Sequence, residues 1–297
     1  MARLVSLIGV PHDPTLPIAA RLRGEGKAHP GAIPALDCLA ELRGMLAAAK
    51  PDVLVMAGSD HLNQWFFDNM APFMVGKPTR LKGPFPSEMK AWGLEGCDLP
   101  VHGALARHIL KQGFEEGVDF AFSDEFVADH SFTIPLNFLR PEHDLPVVPL
   151  FVNLLAPPVP PGRRYAAVGS AVRACVESFS GDARVALIVT GHMSNGVGGP
   201  GMIRNMTEPE SAWDRAMWAR IEANDVAEIV RHSTWDQLYA AGNGTPGFLA
   251  YVFAFGAARG AAATYRRLVA TTAQPACAFL AWDEVALNET GLNGGAA

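Results

Sequence analysis

Short apolar runs that end at histidines dominate the pattern of the chain. These runs are residues 4–10 before His12, residues 53–57 before His61, and residues 185–189 before His192. Apolar runs of this length, bounded by glycine or proline, are typical of strands that are buried on both faces of a parallel sheet. Because ligands bind beyond the carboxyl ends of such strands, we expect the histidines to converge at one edge of the sheet.

Segments with helical periodicity separate these strands. Apolar residues recur at helical spacing in residues 31–49, 101–112, 165–179, 211–231 and 247–258, and residues 147–152 are typical of a further strand. Residues 65–100 have little periodicity, and we expect them to include a loop over the histidine edge. The alternation predicts an α/β fold, with a largely parallel or mixed central sheet flanked by helices. We expect a single domain over residues 1–297, with a flexible tail at residues 285–297.

Charge and composition exclude several classes of partner. The chain of 297 residues has a formal net charge of −6 and no run rich in lysine or arginine, which argues against nucleic acid and anionic membrane surfaces. No apolar stretch approaches the roughly 18 residues of a membrane span, and the N-terminus enters a strand without a signal-peptide pattern. The 4 cysteines are widely spaced and form no Cys-x-x-Cys pair, so we expect reduced thiols and a cytoplasmic location.

Histidines at strand ends favour a metal site or acid–base chemistry. Imidazole is the commonest transition-metal ligand, and it titrates near neutral pH. The first hypothesis is therefore a metal site that includes His12 and His61, and the alternative is a pair of buried, hydrogen-bonded histidines. For His130, which precedes a Ser-Phe-Thr sequence, the alternative is a helix cap. For His192 the alternative is a packed ring that bonds a carbonyl.

Four segments carry a resemblance to a known family. They are residues 9–14 (GVPHDP), 58–61 (GSDH), 128–136 (ADHSFTIPL) and 241–246 (AGNGTP). In this order and at these separations they resemble the class III extradiol ring-cleavage dioxygenases, the superfamily of the protocatechuate 4,5-dioxygenase catalytic subunit. The likeness extends from residue 3 to about residue 283.

The resemblance implies a chemistry for the site. Members of that family hold a non-haem Fe(II) with two histidines and one glutamate and cleave catecholic or aminophenolic rings with O2. The resemblance places His12 and His61 at the iron, with another divalent metal as an alternative. It places His130 where a histidine hydrogen-bonds the substrate or bound oxygen. It also implies a homodimer, or a heteromer with a small cap subunit.

Two positions depart from the pattern of the family. Where the family has its ligand glutamate, just after a Gly-x-Pro turn, this chain has Gly247, and no acidic residue lies between Asp236 and Asp283. Where the family has its catalytic histidine, the sequence GHMSN at residues 191–195 places Asn195, and His192 lies three residues earlier. Glycine cannot bind a metal, and a neutral amide is a poor proton shuttle.

These departures leave several interpretations open. In the first, water, chloride or an acidic residue (Glu208, Glu210 or Asp214) fills the vacant ligand position, and His130 or His192 transfers protons. In the second, the protein is a non-catalytic subunit of a heteromeric dioxygenase. A third keeps the pocket but uses a divalent metal for hydrolysis or for a carbon–carbon lyase reaction. The fourth is a shifted alignment of these segments.

Three further residues are expected to contact the substrate: Asp13, Asn243 and Thr245. Asp13 neighbours the proposed ligand His12, so the alternatives for it are orientation of an imidazole and capping of a helix. Asn243 lies between two glycines, and its alternative is a left-handed turn conformation.

Overall fold

A mixed eight-stranded sheet forms the centre of the computed structural model, which describes residues 1–198, 200, 210–271 and 274–289. The strands are β1 (Arg3–Pro11), β2 (Val53–Gly58), β3 (Phe73–Gly76), β4 (Arg80–Gly83), β5 (Cys97–Pro100), β6 (Ala121–Ser123), β7 (Val147–Val152), β8 (Arg184–Gly191), β9 (Tyr265–Thr271) and β10 (Gln274–Asp283). The order in the sheet is β6-β3-β7-β2-β8-β1-β10-β9, and β4 pairs with β5 in a separate two-stranded sheet.

Helices cover both faces of the sheet. They are α1 (Thr15–Gly24), α2 (Ile33–Ala49), α3 (Pro86–Trp92), α4 (Gly103–Glu115), α5 (His130–Leu139), α6 (Gly162–Glu177), α7 (Ala212–Glu222), α8 (Val226–Arg231), α9 (Trp235–Ala241), α10 (Leu249–Ala258) and α11 (Glu284–Glu289), with 3₁₀ turns at Pro30–Ala32 and Thr245–Phe248. In the described part of the chain, no helix is both long and apolar enough to cross a membrane.

The four central strands run parallel, in the order β7-β2-β8-β1. Strand β3 pairs antiparallel with β7 on one side, and β10 pairs antiparallel with β1 on the other. Every residue of β2 and β7 is buried, as expected for strands covered by helices on both faces. The predicted α/β fold with a mixed central sheet is therefore confirmed.

Alternating side chains of the strands build two apolar cores. Leu7 of β1 belongs to the core that α6 and α10 cover, whereas Ile8 belongs to the core that α2 and α5 cover. This alternation follows from the pleat, which points successive side chains to opposite faces. Fully burying one such aliphatic side chain contributes about 1.5–3 kcal/mol, so the two cores fix the register and with it the ends of the strands.

Several predicted boundaries differ from the structure. The single helix expected at residues 211–231 is two helices, α7 and α8, because Asn224 adopts a left-handed conformation (φ 53°) between them. Residues 65–100 are more regular than expected, since they contain β3, β4, α3 and β5. Residues 285–289 of the expected flexible tail lie in helix α11, and residues 290–297 lie outside the described part of the chain.

The contact between α6 and α10 depends on a glycine. A Cβ atom at Gly169 of α6 would lie 2.0 Å from the carbonyl oxygen of Phe253 in α10. We expect Gly169→Ala to force the helices apart and to lower the free energy of unfolding by about 1–3 kcal/mol, measured by urea unfolding.

A matched control is Gly44→Ala, since Gly44 lies on the exposed side of α2 and a Cβ atom added there would meet no other atom within 4 Å. There the better helix propensity of alanine should stabilise the protein by about 0.5–1 kcal/mol. Equal changes in the free energy of unfolding for the two substitutions would contradict a special requirement for glycine where α6 meets α10.

Candidate functional site

Three adjacent parallel strands each end at a histidine of the site. The strands β2, β8 and β1 are neighbours in the sheet, and His61, His192 and His12 follow their carboxyl ends. Pro11 pairs with Gly191 in the parallel register, so His12 and His192 come next on adjacent strands. The ring centroid of His12 lies 4.1 Å from that of His192 and 5.2 Å from that of His61.

A fourth imidazole comes from the first residue of helix α5. The ring centroid of His130 lies 4.0 Å from that of His61 and 5.6 Å from that of His12. One ring nitrogen from each of His12, His61 and His130 lies within 4.8 Å of the others, which is compact enough for one metal ion. All four histidines singled out in the sequence therefore lie together.

The carboxylate of Asp129 fixes the orientation of His61. Its Oδ2 accepts a hydrogen bond from the backbone N–H of His61 at 2.9 Å and lies 2.7 Å from Nδ1 of that ring. Burial lowers the pKa of His61, but the charge and hydrogen bond of Asp129 outweigh it and raise the pKa above its usual value. Burial likewise opposes ionisation of Asp129, yet the facing His61 holds the pKa of the carboxyl well below its ordinary range. With Nδ1 engaged, Nε2 of His61 is left for a metal.

A second carboxylate supports His130. Oε1 of Glu88, a buried residue of α3, lies 2.6 Å from Nδ1 of His130 and accepts a hydrogen bond from Nδ2 of Asn63 at 3.1 Å. The ring of Trp92, at the end of the same helix, lies 4.7 Å from the His130 ring. The sequence analysis missed Glu88 because it lies in the segment without periodicity, where an acidic residue is typical of a solvated loop.

His12 is the residue whose environment favours a bound ligand. It is 1% exposed, and neither of its ring nitrogens has a hydrogen-bond partner within the described residues. Burial and then the nearby imidazoles of His192, His61 and His130 lower the pKa of His12 well below its usual value, so its ring is neutral. Leaving a buried polar group unpaired costs about 1–3 kcal/mol. A metal ion bound by the imidazoles would remove this cost, so the donor set fits a transition metal.

Asp13 and Asp60 follow and precede the histidines His12 and His61, and each accepts hydrogen bonds from the residues that come next in the chain. Oδ1 of Asp13 accepts hydrogen bonds from the backbone N–H and the hydroxyl of Thr15 at the start of α1, at 2.8 and 2.7 Å. Oδ2 of Asp60 accepts three backbone N–H groups at 3.0 Å, from Asn63, Gln64 and Trp65. Burial raises the pKa of both carboxyls despite these bonds. Asp13 therefore bonds the first residue of α1, and its contact with a substrate stays a prediction.

Hydrogen bonds connect the loop after β8, at Asn195, with the loop that contains Asn243 and Thr245. The backbone N–H of Asn195 donates to the hydroxyl of Thr245 at 3.0 Å. The amide of Asn243 accepts from the N–H of Val197 at 2.7 Å and donates to the carbonyl of Val197 at 3.0 Å. The polar atoms of Asn243 and Thr245 therefore hold the loop after β8, and a contact of these residues with a substrate stays a prediction.

Of the acidic candidates for a third metal ligand, the two in the described part of the chain, Glu210 and Asp214, form no compact group with the histidines. Both oxygens of the buried Asp214 are occupied, since they accept from the N–H and hydroxyl of Ser194 and from the N–H of Ser211. Glu208 lies outside the described residues. In the described part of the chain, neither Glu210 nor any other carboxylate forms a compact group with both His12 and His61.

His192 occupies the space beside Gly247. A Cβ atom at Gly247 would lie 2.9 Å from Cδ2 of the His192 ring. Burial, followed by the charges of His61 and His130, lowers the pKa of His192 to about 3, which leaves its imidazole neutral. A group with this pKa is a poor proton carrier near neutral pH.

Comparison with known proteins identifies the family of this chain. Residues 6–278 match the family described as the catalytic LigB subunit of aromatic ring-opening dioxygenase. The chain belongs to this family. The match covers all four histidines, and it confirms the resemblance seen in the four sequence segments.

Two curated relatives are 2,3-dihydroxyphenylpropionate/2,3-dihydroxicinnamic acid 1,2-dioxygenases. The protein of Klebsiella pneumoniae (strain 342) is 33% identical over 158 residues, which is 53% of this chain and 48% of the relative. The protein of Escherichia coli O139:H28 is 33% identical over 147 residues, or 47% of this chain and 45% of the relative. The matched region thus spans about half the length of these relatives.

A solved structure supports the fold. An uncharacterized protein from Escherichia coli K12 superimposes with a TM-score of 0.55 at 13% sequence identity, over 93% of this chain and 99% of that protein. At this identity the similarity shows a shared fold and nothing further about chemistry.

The buried, unpartnered ring of His12 leads to a prediction about metal content. We expect His12→Ala to lose more metal affinity than the roughly 10–100-fold that loss of a supporting residue costs, because it removes a donor from the centre of the cluster. Calorimetric titration with Zn²⁺ and elemental analysis of the purified protein measure this loss. The control is His29→Ala, which removes an exposed imidazole; wild-type affinity in His12→Ala would refute the metal site.

Proposed function

We propose that the protein is an extradiol dioxygenase that opens the ring of a catechol or an aminophenol with O2, using a divalent metal, Fe(II), at the histidine cluster. The observation that carries the proposal is His12, whose two ring nitrogens are buried and unpartnered and whose ring centroid lies within 5.6 Å of those of three other imidazoles. The family to which the chain belongs, and the ring-cleaving relatives, support the same reaction class.

The proposed metal ligands include His12 and His61. Asp129 engages Nδ1 of His61, which leaves Nε2 as the donor, and such carboxylate support raises the basicity of a ligand imidazole. His12 and His61 would hold Fe(II), which a diol could bind through its two neighbouring oxygens and which would supply the redox chemistry toward O2. The names of the curated relatives describe 2,3-dihydroxy rings, which present such a pair of oxygens.

Proton transfer is assigned to His130. Its Nδ1 faces the carboxylate of Glu88 at 2.6 Å, so the ring is held with Nε2 available to a substrate hydroxyl. His130 and Glu88 are both buried, and the ring of Trp92 packs against the His130 ring. The expected alternatives, His192 and Asn195, are less suited, since His192 has a pKa of about 3 and Asn195 has a neutral amide.

The cluster of His12, His61, His130 and His192 also helps to distinguish the proposed function from the alternatives. A non-catalytic subunit would need neither a buried unpartnered imidazole nor the paired carboxylates of Asp129 and Glu88 behind two further rings. A hydrolytic or lyase reaction would use the same metal but would not require O2. Oxygen consumption is therefore the measurement that separates the proposed reaction from both.

Oxygen uptake tests the proposed function directly. Protein loaded with Fe(II) without air should consume O2 when catechol, 2,3-dihydroxyphenylpropionate or 2-aminophenol is added, and a new absorbance from the opened, conjugated ring should appear. His130→Ala should slow turnover by about 10²–10⁴-fold, the usual contribution of an acid–base group, while His29→Ala stays at the wild-type rate. Absence of uptake with every substrate by fully loaded protein would overturn the proposal.

Glu88 is expected to position His130 through its charge. In Glu88→Gln the side chain keeps its shape but loses the negative charge facing Nδ1, so kcat should fall by about 10–100-fold, with KM and metal content nearly unchanged. The control is Glu95→Gln, at an exposed position just beyond the same helix. A fall in melting temperature without a change in kcat would instead give Glu88 a purely structural role.

A further inference from the structure

Leu62, which directly follows His61, has a backbone conformation that leucine rarely adopts. Its φ is 56°, in the left-handed region, where the Cβ atom of an L-residue is crowded by its own backbone. In the described part of the chain, the other non-glycine residues with a positive φ all carry polar side chains; they are Lys50, His143, Asn224 and Arg259. A branched apolar residue persists in this conformation only where the surrounding structure imposes it.

Buried carboxylates on both sides of Leu62 impose this conformation. Asp129 accepts a hydrogen bond from the backbone N–H of His61 at 2.9 Å. Asp60 accepts the backbone N–H groups of the three residues that follow Leu62, each at 3.0 Å. Because the chain is held before and after Leu62, residue 62 takes the φ that the two fixed ends require.

The side chain of Leu62 is not explained by the packing of the protein. A glycine at position 62 would adopt the positive φ without strain. Leu62 is half-buried, and among the described residues it belongs to neither of the two apolar cores. Trp65, three residues later and also half-buried, does pack against the core that α2 and α5 cover. Leu62 therefore offers apolar surface, one residue from a proposed metal ligand, that is left for a ligand.

Trp92 is a second half-buried apolar residue at the same histidine cluster. Its ring centroid lies 4.7 Å from that of His130, and within the described residues Trp92 also belongs to neither core. Its helix is joined to the loop of Leu62, since Oε1 of Glu88 accepts a hydrogen bond from Nδ2 of Asn63 at 3.1 Å. Pockets for small aromatic molecules are lined by apolar and aromatic side chains around a few polar groups, and these two residues supply such a lining.

From these contacts we propose that Leu62 is a specificity-determining residue, whose side chain packs against the aromatic ring of a substrate held at the metal. The inference rests on the proposed function above. A glycine at position 62 would relieve the backbone strain but would leave the ring without this contact. Leu62 has no group that binds a metal or transfers a proton, so it contributes to recognition of the ring and leaves the chemistry to the histidines.

Binding of two chelating molecules to protein loaded with Zn²⁺, which has no redox chemistry, tests this assignment. Catechol and acetohydroxamate both chelate a metal through two neighbouring oxygens, but acetohydroxamate has no aromatic ring. In Leu62→Gly, calorimetry should show about 10-fold weaker binding of catechol, as expected when an apolar contact in a pocket is lost. The affinities for acetohydroxamate and for Zn²⁺ should stay within a few-fold of the wild type, because no metal donor changes.

Control variants separate the side chain from the backbone. Leu62→Met keeps an apolar side chain of similar volume and should bind catechol within a few-fold of the wild type. Lys50→Gly changes an exposed residue with a similar φ of 46°, at the end of α2 and before β2, whereas His61 follows β2. It should leave the affinity for catechol unchanged.

Melting temperatures check that the variants are folded. Leu62→Gly and Lys50→Gly should both melt close to the wild type, because relief of the strained φ offsets the greater freedom of glycine in the unfolded chain. Leu62→Ala, which removes most of the side chain, replaces Leu62→Gly if circular dichroism shows that the latter is unfolded.

The possible failures are distinguishable. If Leu62→Gly binds catechol as tightly as the wild type, the contact with the ring is refuted and the proposed function stands. Equal losses of affinity for catechol and acetohydroxamate would show that Leu62 only positions His61, which again refutes the inference. If the wild-type protein loaded with Zn²⁺ binds acetohydroxamate but not catechol, the substrate class of the proposed function is itself wrong.

Discussion

The site depends on the hydrogen bonds that Asp129 accepts. One carboxylate binds the N–H and the ring of His61, beyond the end of β2, and the N–H of Ser131 in the first turn of α5. It thereby joins a strand of the sheet to the helix that begins with His130, and it sets the distance between the two rings. Because the carboxylate is buried and ionised, removing its partners would leave an uncompensated charge in the interior, a cost of several kcal/mol.

In the described part of the chain, the buried carboxyl groups near the histidines have no lysine or arginine beside them. The carboxyls of Asp13, Asp60, Glu88 and Asp129 are all buried around the histidines. Across the described residues, Arg173 is the single buried lysine or arginine, and its guanidinium bonds Glu177 and the carbonyl of Leu287, away from the cluster. Buried carboxylates are normally paired or bound to metal. The acidic groups behind the imidazoles would therefore favour a divalent ion at the site proposed above.

The sequence predicts the sheet and the convergence of histidines because both follow from local pattern. Apolar runs fix β1, β2 and β8, and the chain direction of parallel strands brings His12, His61 and His192 to one edge. The contact of Glu88 with His130 and the hydrogen bonds of Asn243 to Val197 could not be predicted. In both cases the partners are distant in sequence and come together through tertiary packing. The interruption between helices α7 and α8 at Asn224 was also not predicted, because the helical spacing of apolar residues continues across it.

The contact between Gly247 and His192 makes the effect of a substitution at one position depend on the residue at the other. In this backbone, a side chain at position 247 would require the ring of His192 to move or to be replaced by a smaller group. Each change alone passes through a sterically poor intermediate, so the two substitutions are epistatic.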